Sequence, residues 1–324
     1  MHVLILGAGG IGGYYGGRLA HAGIDVSFVA RGAHLEALRT KGLTVIRDSE
    51  TITLPPLRAH EDPAYLPAPD LILVTTKAYD LEQAIARAAP VIGRETIILP
   101  LVNGVDIPQR IASALNGSCM QIENREPVDH RIMAGLTYIP ANRPRPGVVH
   151  QPGNEHPLIF GEVSESAPGR ADSILALFER AGILAKIATD VQQALWTKFM
   201  LVTANGGVCG VTRATMGQVV ENPETLGLYE GVCREVEAVA RARGIVLAKD
   251  VVEKTIAHGR QSPVGNKPSL LQDLEGGRRL ELEVLHGTLV RLGREAGVPV
   301  PVSTMIHAAL KPFAEGAPTL YKPS

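Results

Sequence analysis

Six residues near the start of the chain, Gly7-Ala8-Gly9-Gly10-Ile11-Gly12, have the GxGxxG spacing of a pyrophosphate cradle. In such a turn the first glycine takes the tight bend. The second lets the backbone approach the phosphates, and the third lets helix and strand pack closely. The helix that follows offers free N–H groups and the positive end of its dipole to the anion. Glycine enrichment alone can produce this spacing, since Gly13, Gly16 and Gly17 follow at once. The order of the flanking patterns favours binding: an apolar run at 3–6 precedes the turn, and a helical pattern to about 21 follows it. A second chemical group stands far downstream. Lys198 has Ala194, Leu195, Leu201 and Val202 as its i±3 and i±4 neighbours, so it belongs to an apolar helical stripe. A lysine there either carries its ammonium out to water or loses solvation. Lost solvation lowers its pKa towards neutrality and suits it to proton transfer. Glu281 and Glu283 open another helical pattern, where a carboxylate either stabilises the helix N-terminus or serves a ligand.

The elements that must position these groups alternate in type. Apolar strands are expected at 25–29, 71–76 and 96–102, with helices at 33–41 and 81–89. Continuous apolar runs between helices define a parallel sheet covered on both faces, and the carboxyl ends of its strands bind ligands. Arg31 ends the second strand, where an arginine suits the 2′-phosphate of NADP and an acid would suit the 2′-hydroxyl of NAD. Asp25 begins that strand and lies at the opposite edge, so the expected cofactor is NADP(H). Lys77 and Asn103 follow the next two strands and extend the same edge. Each also reads blandly, Lys77 as a surface lysine at a helix start and Asn103-Gly104 as a plain turn. A small hairpin is expected at 43–57. The runs 133–139, 147–151, 158–161 and 183–187 are expected to complete the first sheet with antiparallel edge strands, with 140–146 a turn and 171–181 a helix. His150, in a strand-like run, reads as a structural or surface histidine.

Beyond about 188 the chain reads as helices, at 191–211, 223–243, 248–260, 280–296 and 303–313. The expected fold is thus an α/β Rossmann-type domain over 1–188, holding the dinucleotide, and an all-α substrate and catalytic domain over 189–324. A length of 324 residues fits about two domains. With Lys+Arg 32 against Asp+Glu 33, nothing favours nucleic acid or an anionic membrane surface. Three scattered cysteines, Cys119, Cys209 and Cys233, argue against a zinc site or disulfide framework and suit a reducing cytoplasm. No metal is expected. A strand starting at the first residues leaves no room for a leader peptide, and no uncharged apolar run is long enough to span a bilayer.

Four segments together resemble the ketopantoate reductase (2-dehydropantoate 2-reductase) family: LGAGGIGG at the front, VARG ending the second strand, TTKAYD with LVNGV, and ALWTKF followed by PSLLQDLEGGRRLELEVLHG. The resemblance covers the chain in order, and the last pair is its specific part. It implies an NADPH-dependent enzyme that reduces 2-dehydropantoate to (R)-pantoate on the route to coenzyme A. It also implies a helical half like the C-terminal architecture of 6-phosphogluconate dehydrogenase. By the same resemblance Lys198 is the catalytic lysine, and Asn103 lies beside nicotinamide and substrate. Glu281, the glutamate of a D-x₇-E pattern counted from Asp273, hydrogen-bonds substrate, and Ser269 contacts its carboxylate. Gly7, Ala8, Gly9, Gly10, Ile11, Gly12, Arg31 and Lys77 hold the cofactor. The implied partners are a small 2-oxo acid and, at most, a second copy of the chain in a homodimer. One departure is visible. Many members carry asparagines four and eight residues after the lysine, and here those positions are Val202 and Gly206, with Asn205 nearby. That leaves open another 2-oxo acid on the same fold, or a dinucleotide sensor without turnover.

Overall fold

The computed structural model describes residues 1–48, 50–119, 131–163 and 169–317. The chain divides into two compact units, Met1–Val102 with Asp106–Val191, and Asn103–Val105 with Gln192–Ser324. The first unit opens with β1 (His2–Leu6), α1 (Gly10–His21), β2 (Asp25–Val29), α2 (Gly32–Thr40), β3 (Leu43–Arg47), β4 (Glu50–Leu54) and β5 (Ala59–His60). It continues through β6 (Leu71–Val74), α3 (Leu81–Ala88), β7 (Ile97–Pro100) and α4 (Ile107–Cys119). After that come β8 (Met133–Leu136), β9 (Asn142–Arg145), β10 (Val148–Gln151), β11 (Leu158–Glu162), α5 (Arg170–Arg180) and β12 (Ala185–Ile187).

Five of these strands form a parallel sheet in the order β5-β2-β1-β6-β7. The apolar runs of β1 and β6 are buried at every residue, as a strand covered on both faces requires. The chain leaves β1 towards β2 on one side and returns to β6 on the other. The switch point therefore lies between the carboxyl ends of β1 and β6, beside the glycine turn.

The glycines of α1 have a packing cause. The helix is held between two sheets, the parallel one and a four-stranded sheet of order β4-β3-β10-β9. On one face a β-carbon at Gly16 would come within 2.5 Å of the Phe28 ring. On the other, β-carbons at Gly13 and Gly17 would come within 2.5 Å of Val149 Cγ2 and Val45 Cγ2. Spacing of four residues repeats each face, so glycine on both faces lets both sheets approach.

The strands beyond residue 131 correct the single-sheet expectation. β3 and β4 do form the hairpin, but β3 pairs in parallel with β10, and β9 completes that sheet. β8, β11 and β12 form a third sheet, reached from β7 by one parallel bridge between Ile98 and Ile132. Residues 142–145, expected as turn, are a strand. Pro144 is tolerated because β9 is an edge strand, where a missing N–H leaves no ladder bond unmade.

The second unit is helical: α6 (Val191–Thr212), α7 (Met216–Glu221), α8 (Pro223–Ala242), α9 (Val251–Gln261), α10 (Ser269–Glu275), α11 (Thr288–Ala296) and α12 (Pro301–Leu310). α7 and α10 are short and absent from the sequence expectation, as is α4 in the first unit. The helix expected from 280 begins instead with a π-helical turn, Glu283–Gly287. Thr215 and Gln218 make a reciprocal capping box on α7, and Asn222 accepts from Glu224 N and Thr225 N at 3.0 Å on α8. Buried Glu235 accepts from Val302 N at 2.6 Å and Ser303 N at 2.9 Å, which places a carboxylate at the N-terminus of α12. Cys209 and Cys233 are free and buried, while the Cys119 side chain lies outside the described residues. Among the described residues no helix is long and apolar enough to cross a membrane, and no group of His, Cys, Asp or Glu could hold a metal ion.

Candidate functional site

In the first unit, Gly7 sits at φ +108°, a left-handed conformation that favours glycine. The Thr75 hydroxyl donates to its carbonyl oxygen at 2.8 Å and so ties the turn to the end of β6. A β-carbon at Gly12 would overlap both that carbonyl and Thr75 Oγ1, whereas one at Gly9 would meet nothing within 4 Å. Gly12 is thus required by packing. Gly9 faces open space where a ligand can approach. α1 has no acidic residue in its first turn, and its N-cap, Gly9, has no side chain to cap it. The N–H groups of Gly10, Ile11 and Gly12 begin the helix, where intrahelical acceptors are lacking. Ala8 N–H is already committed to Val29 O at 3.0 Å, which holds the turn against β2. These features fit a dinucleotide pyrophosphate.

Around the turn, Arg31 is exposed and forms the N-cap position of α2, directly beyond β2. Lys77 is half-buried and opens the 3-10 turn Ala78–Asp80 beyond β6. Asp25 lies at the far end of β2, opposite His2 in register, and pairs with Arg58 at 2.9 Å. Sequence reasoning missed the contribution of the segment before β10. A β-carbon at Gly10 would overlap the Ala141 carbonyl, so this backbone lies directly on the glycine turn. Gly147 N–H donates to His34 Nδ1 at 3.0 Å, which ties the other end of the segment to α2. Neither contact has a local sequence signal, because the partners are more than a hundred residues apart.

In the second unit, Lys198 lies near the middle of α6 and is 7% exposed. Glu281, at 9% exposure, precedes the π-helical turn and acts electrostatically on Lys198. Burial pulls the Lys198 ammonium down to about 8, and the nearby Glu281 carboxylate opposes the shift. The chain approach to Glu281 is fixed by Asp273, which accepts from Arg278 Nε at 2.8 Å while Arg278 N–H donates to the Asp273 carbonyl at 2.8 Å. The aspartate of the implied Asp-to-Glu pattern therefore holds the loop that delivers the glutamate. His286, fully buried in the π-helical turn, hydrogen-bonds Thr203 O of α6 through Nε2 at 3.1 Å. A β-carbon at Gly207 would overlap that ring. The Lys198 helix and the turn after Glu281 are thereby joined by one buried contact.

The remaining residues divide as follows. Asn103, at the start of the loop turned by Gly104 (φ +127°), belongs by contact to the helical unit. Ser269 is exposed at the first position of α10. Glu283 is drawn away from Glu281: its carboxylate pairs with Lys311 and with His307, the latter at 3.2 Å. Asn205 does not serve the Lys198 face as an unengaged amide, because Tyr229 donates to its oxygen at 2.7 Å. Gly206 is buried against Leu270 and Leu285.

A parallel sheet with a glycine cradle at its switch point, and a helical unit carrying a buried lysine beside a carboxylate, define a dinucleotide-binding oxidoreductase. The chain belongs to the ketopantoate reductase PanE/ApbA family: its N-terminal model matches residues 3–165 and its C-terminal model residues 190–314. A 2-dehydropantoate 2-reductase of Mesorhizobium japonicum is 29% identical over 97% of this chain and 98% of its own. A PanE/ApbA family ketopantoate reductase structure from Ralstonia eutropha superposes with TM-score 0.84 at 29% identity, covering 97% of this chain and 98% of that one. D-mandelate dehydrogenase, in a ternary structure with NADH and anilino(oxo)acetate, shares the fold with TM-score 0.85 at 20% identity, covering 97% and 98%.

Proposed function

We propose that this chain reduces 2-dehydropantoate to (R)-pantoate with NADPH. The observation that carries the reading is Lys198, buried in the helical unit with the Glu281 carboxylate acting on it. When bound, the nicotinamide supplies the hydride. The first unit's glycine turn and the amides of α1 hold the pyrophosphate, Arg31 the 2′-phosphate, and Lys77 and Asn103 the nicotinamide half. As negative charge grows on the carbonyl oxygen, Lys198 stabilises it and delivers the proton from Nζ. Glu281 accepts from the substrate hydroxyl, and exposed Ser269 donates to its carboxylate. The lysine's ordinary ammonium would hold its proton too tightly for this task, and burial brings it near the working pH. The free buried thiols of Cys209 and Cys233 support a reducing, cytoplasmic setting.

The test is NADPH oxidation with 2-dehydropantoate, followed by loss of reduced-nicotinamide absorbance. The Lys198→Ala variant should lose roughly 10²- to 10⁴-fold in kcat with NADPH affinity retained. Near-normal kcat would remove Lys198 from the mechanism, and a preference for NADH would remove Arg31 from its role. A second reading, the same reduction on another 2-oxo acid, is favoured by the apolar setting of Gly206 against Leu270 and Leu285. A panel of 2-oxo acids in the same assay decides between them.

A further inference from the structure

The NADP(H) reading assigns one cation, Arg31, to the 2′-phosphate. The structure brings a second arginine to the same corner by a different route. β9 pairs antiparallel with β10, Asn142 opposite His150 and Arg145 opposite Val148. At its start, Ala141 and Asn142 lie on the glycine turn, where a β-carbon at Gly10 would be 2.9 Å from Asn142 N. At its end, Gly147 lies on α2: its N–H reaches His34 Nδ1 at 3.0 Å, and a β-carbon there would be 3.1 Å from Ala37 Cβ. β9 therefore runs from the pyrophosphate cradle to the helix that Arg31 opens. That corner is the place of the adenosine ribose in a dinucleotide fold.

Arg143 is the first arginine on this path. Its side chain is exposed, and it has no carboxylate partner among the described residues; the same is true of Arg31. Among the described residues of this unit, Arg18, Arg47, Arg58, Arg110 and Arg170 are paired with Glu or Asp. Arg39, Arg87, Arg94, Arg145 and Arg180 have no carboxylate partner among them either, so it is its place on β9 and its action on His34 that single out Arg143. The Arg143 charge is felt at His34, three residues beyond Arg31. Burial first, and then that charge, hold the His34 imidazole below its usual range, against the pull of the Ala8 backbone. His34 Nδ1 accepts from Gly147 N–H, so the neutral ring carries its proton on Nε2. A neutral imidazole that feels the Arg143 guanidinium, on the helix that exposed Arg31 opens, adds no negative charge to this corner, and a phosphomonoester dianion would supply it.

We infer that Arg143, on the edge strand β9, is a second arm of the 2′-phosphate site and sets the preference for NADP(H) together with Arg31. The inference rests on the NADP(H) reading above. Its test measures the affinities of the full chain for NADPH, NADH, 2′,5′-ADP and 5′-AMP by titration calorimetry, in the native sequence and in Arg143→Ala, Arg143→Lys and Arg145→Ala. Arg143→Ala should weaken NADPH and 2′,5′-ADP by about tenfold or more, as expected for lost charge-assisted bonds, while NADH and 5′-AMP change less than about twofold. Arg143→Lys should recover part of the loss, and Arg145→Ala should leave all four ligands near the native values. Three results overturn the inference alone: no change in Arg143→Ala, an equal loss for NADPH and NADH, or an equal loss in Arg145→Ala, which would mark a diffuse charge effect. A native chain that binds NADH as tightly as NADPH would instead overturn the NADP(H) reading on which it rests.

Discussion

At the scale of the residue, the chemistry turns on how one ammonium is stored. Lys198 is held at about 8 by burial and is kept from falling further by Glu281. Acting as the proton donor, it must enter the reaction charged. Turnover should therefore be flat near pH 7 and fall as pH rises through about 8, read as the basic limb of log kcat against pH. Glu281→Gln removes the anion that favours the ammonium, so the limb should move to lower pH. A limb that stays in place would show that Glu281 does not act through Lys198. The apolar stripe around Lys198 was legible in the sequence, because i±3 and i±4 neighbours alone place a side chain on a buried face. Its partner was not: Glu281 lies more than eighty residues away, and its nearness depends on the loop pinned by Asp273 and Arg278. Asn205 shows the same limit from the other side. Helical spacing allowed it to face Lys198, but Tyr229 on α8 claims its oxygen.

At the scale of the element, α1 carries two kinds of glycine that spacing alone does not separate. Gly9 has ordinary φ, −77°, and a β-carbon there meets nothing. Gly9→Ala should leave stability within about 0.5 kcal/mol yet weaken dinucleotide binding. A large loss of stability would contradict the open cradle. Gly13 is the converse, since its β-carbon would press on buried Val149. Gly13→Ala should cost roughly 1–3 kcal/mol in urea unfolding through overpacking. The cost should shrink when Val149→Ala makes room, and strict additivity of the two would refute the sandwiched helix. Strand and helix types were legible here because the buried parallel strands are continuous apolar runs. The division into three sheets was not. β10 pairs with β3 across about a hundred residues, and a run of alternating residues says that an edge exists without saying which strand fills it. The π-helical turn at Glu283–Gly287 was likewise hidden, being one extra residue in a helical pattern, fixed by the fit of His286 against Gly207.

At the scale of the whole molecule, the last strand, β12, ends at Ile187, and among the described residues every later element is helical. The switch from strand-like runs to helical periods was legible without any long-range contact. The membership of Asn103–Val105 in the helical unit was not, because three residues leaving a strand have no pattern of their own. What holds the helical unit also limits it. His286 is fully buried, and burial first lowers its pKa to about 3, with the Thr203 carbonyl opposing and the His307 charge assisting. In the unfolded chain the same ring titrates near 6.5, so between these values the unfolded state binds more protons than the folded one. Stability from this group is fully present above about 6.5 and is lost as pH falls towards 3. Taking one pKa unit as about 1.4 kcal/mol, lowering pH from 7 to 5 should cost the helical unit about 2 kcal/mol through His286 alone. The chain has one tryptophan, Trp196, buried on α6, and its fluorescence reports this unit during urea unfolding. Other carboxylates and histidines titrate over the same span, so the quantity to compare is the acid loss in the native chain against that in His286→Gln. The glutamine amide can still donate to the Thr203 carbonyl but does not titrate. The variant should begin less stable at pH 7 and lose about 2 kcal/mol less on going to pH 5. Parallel acid losses in the two chains would mean that His286 takes up its proton without unfolding, and that the contact joining the π-helical turn to α6 opens more readily than its burial implies.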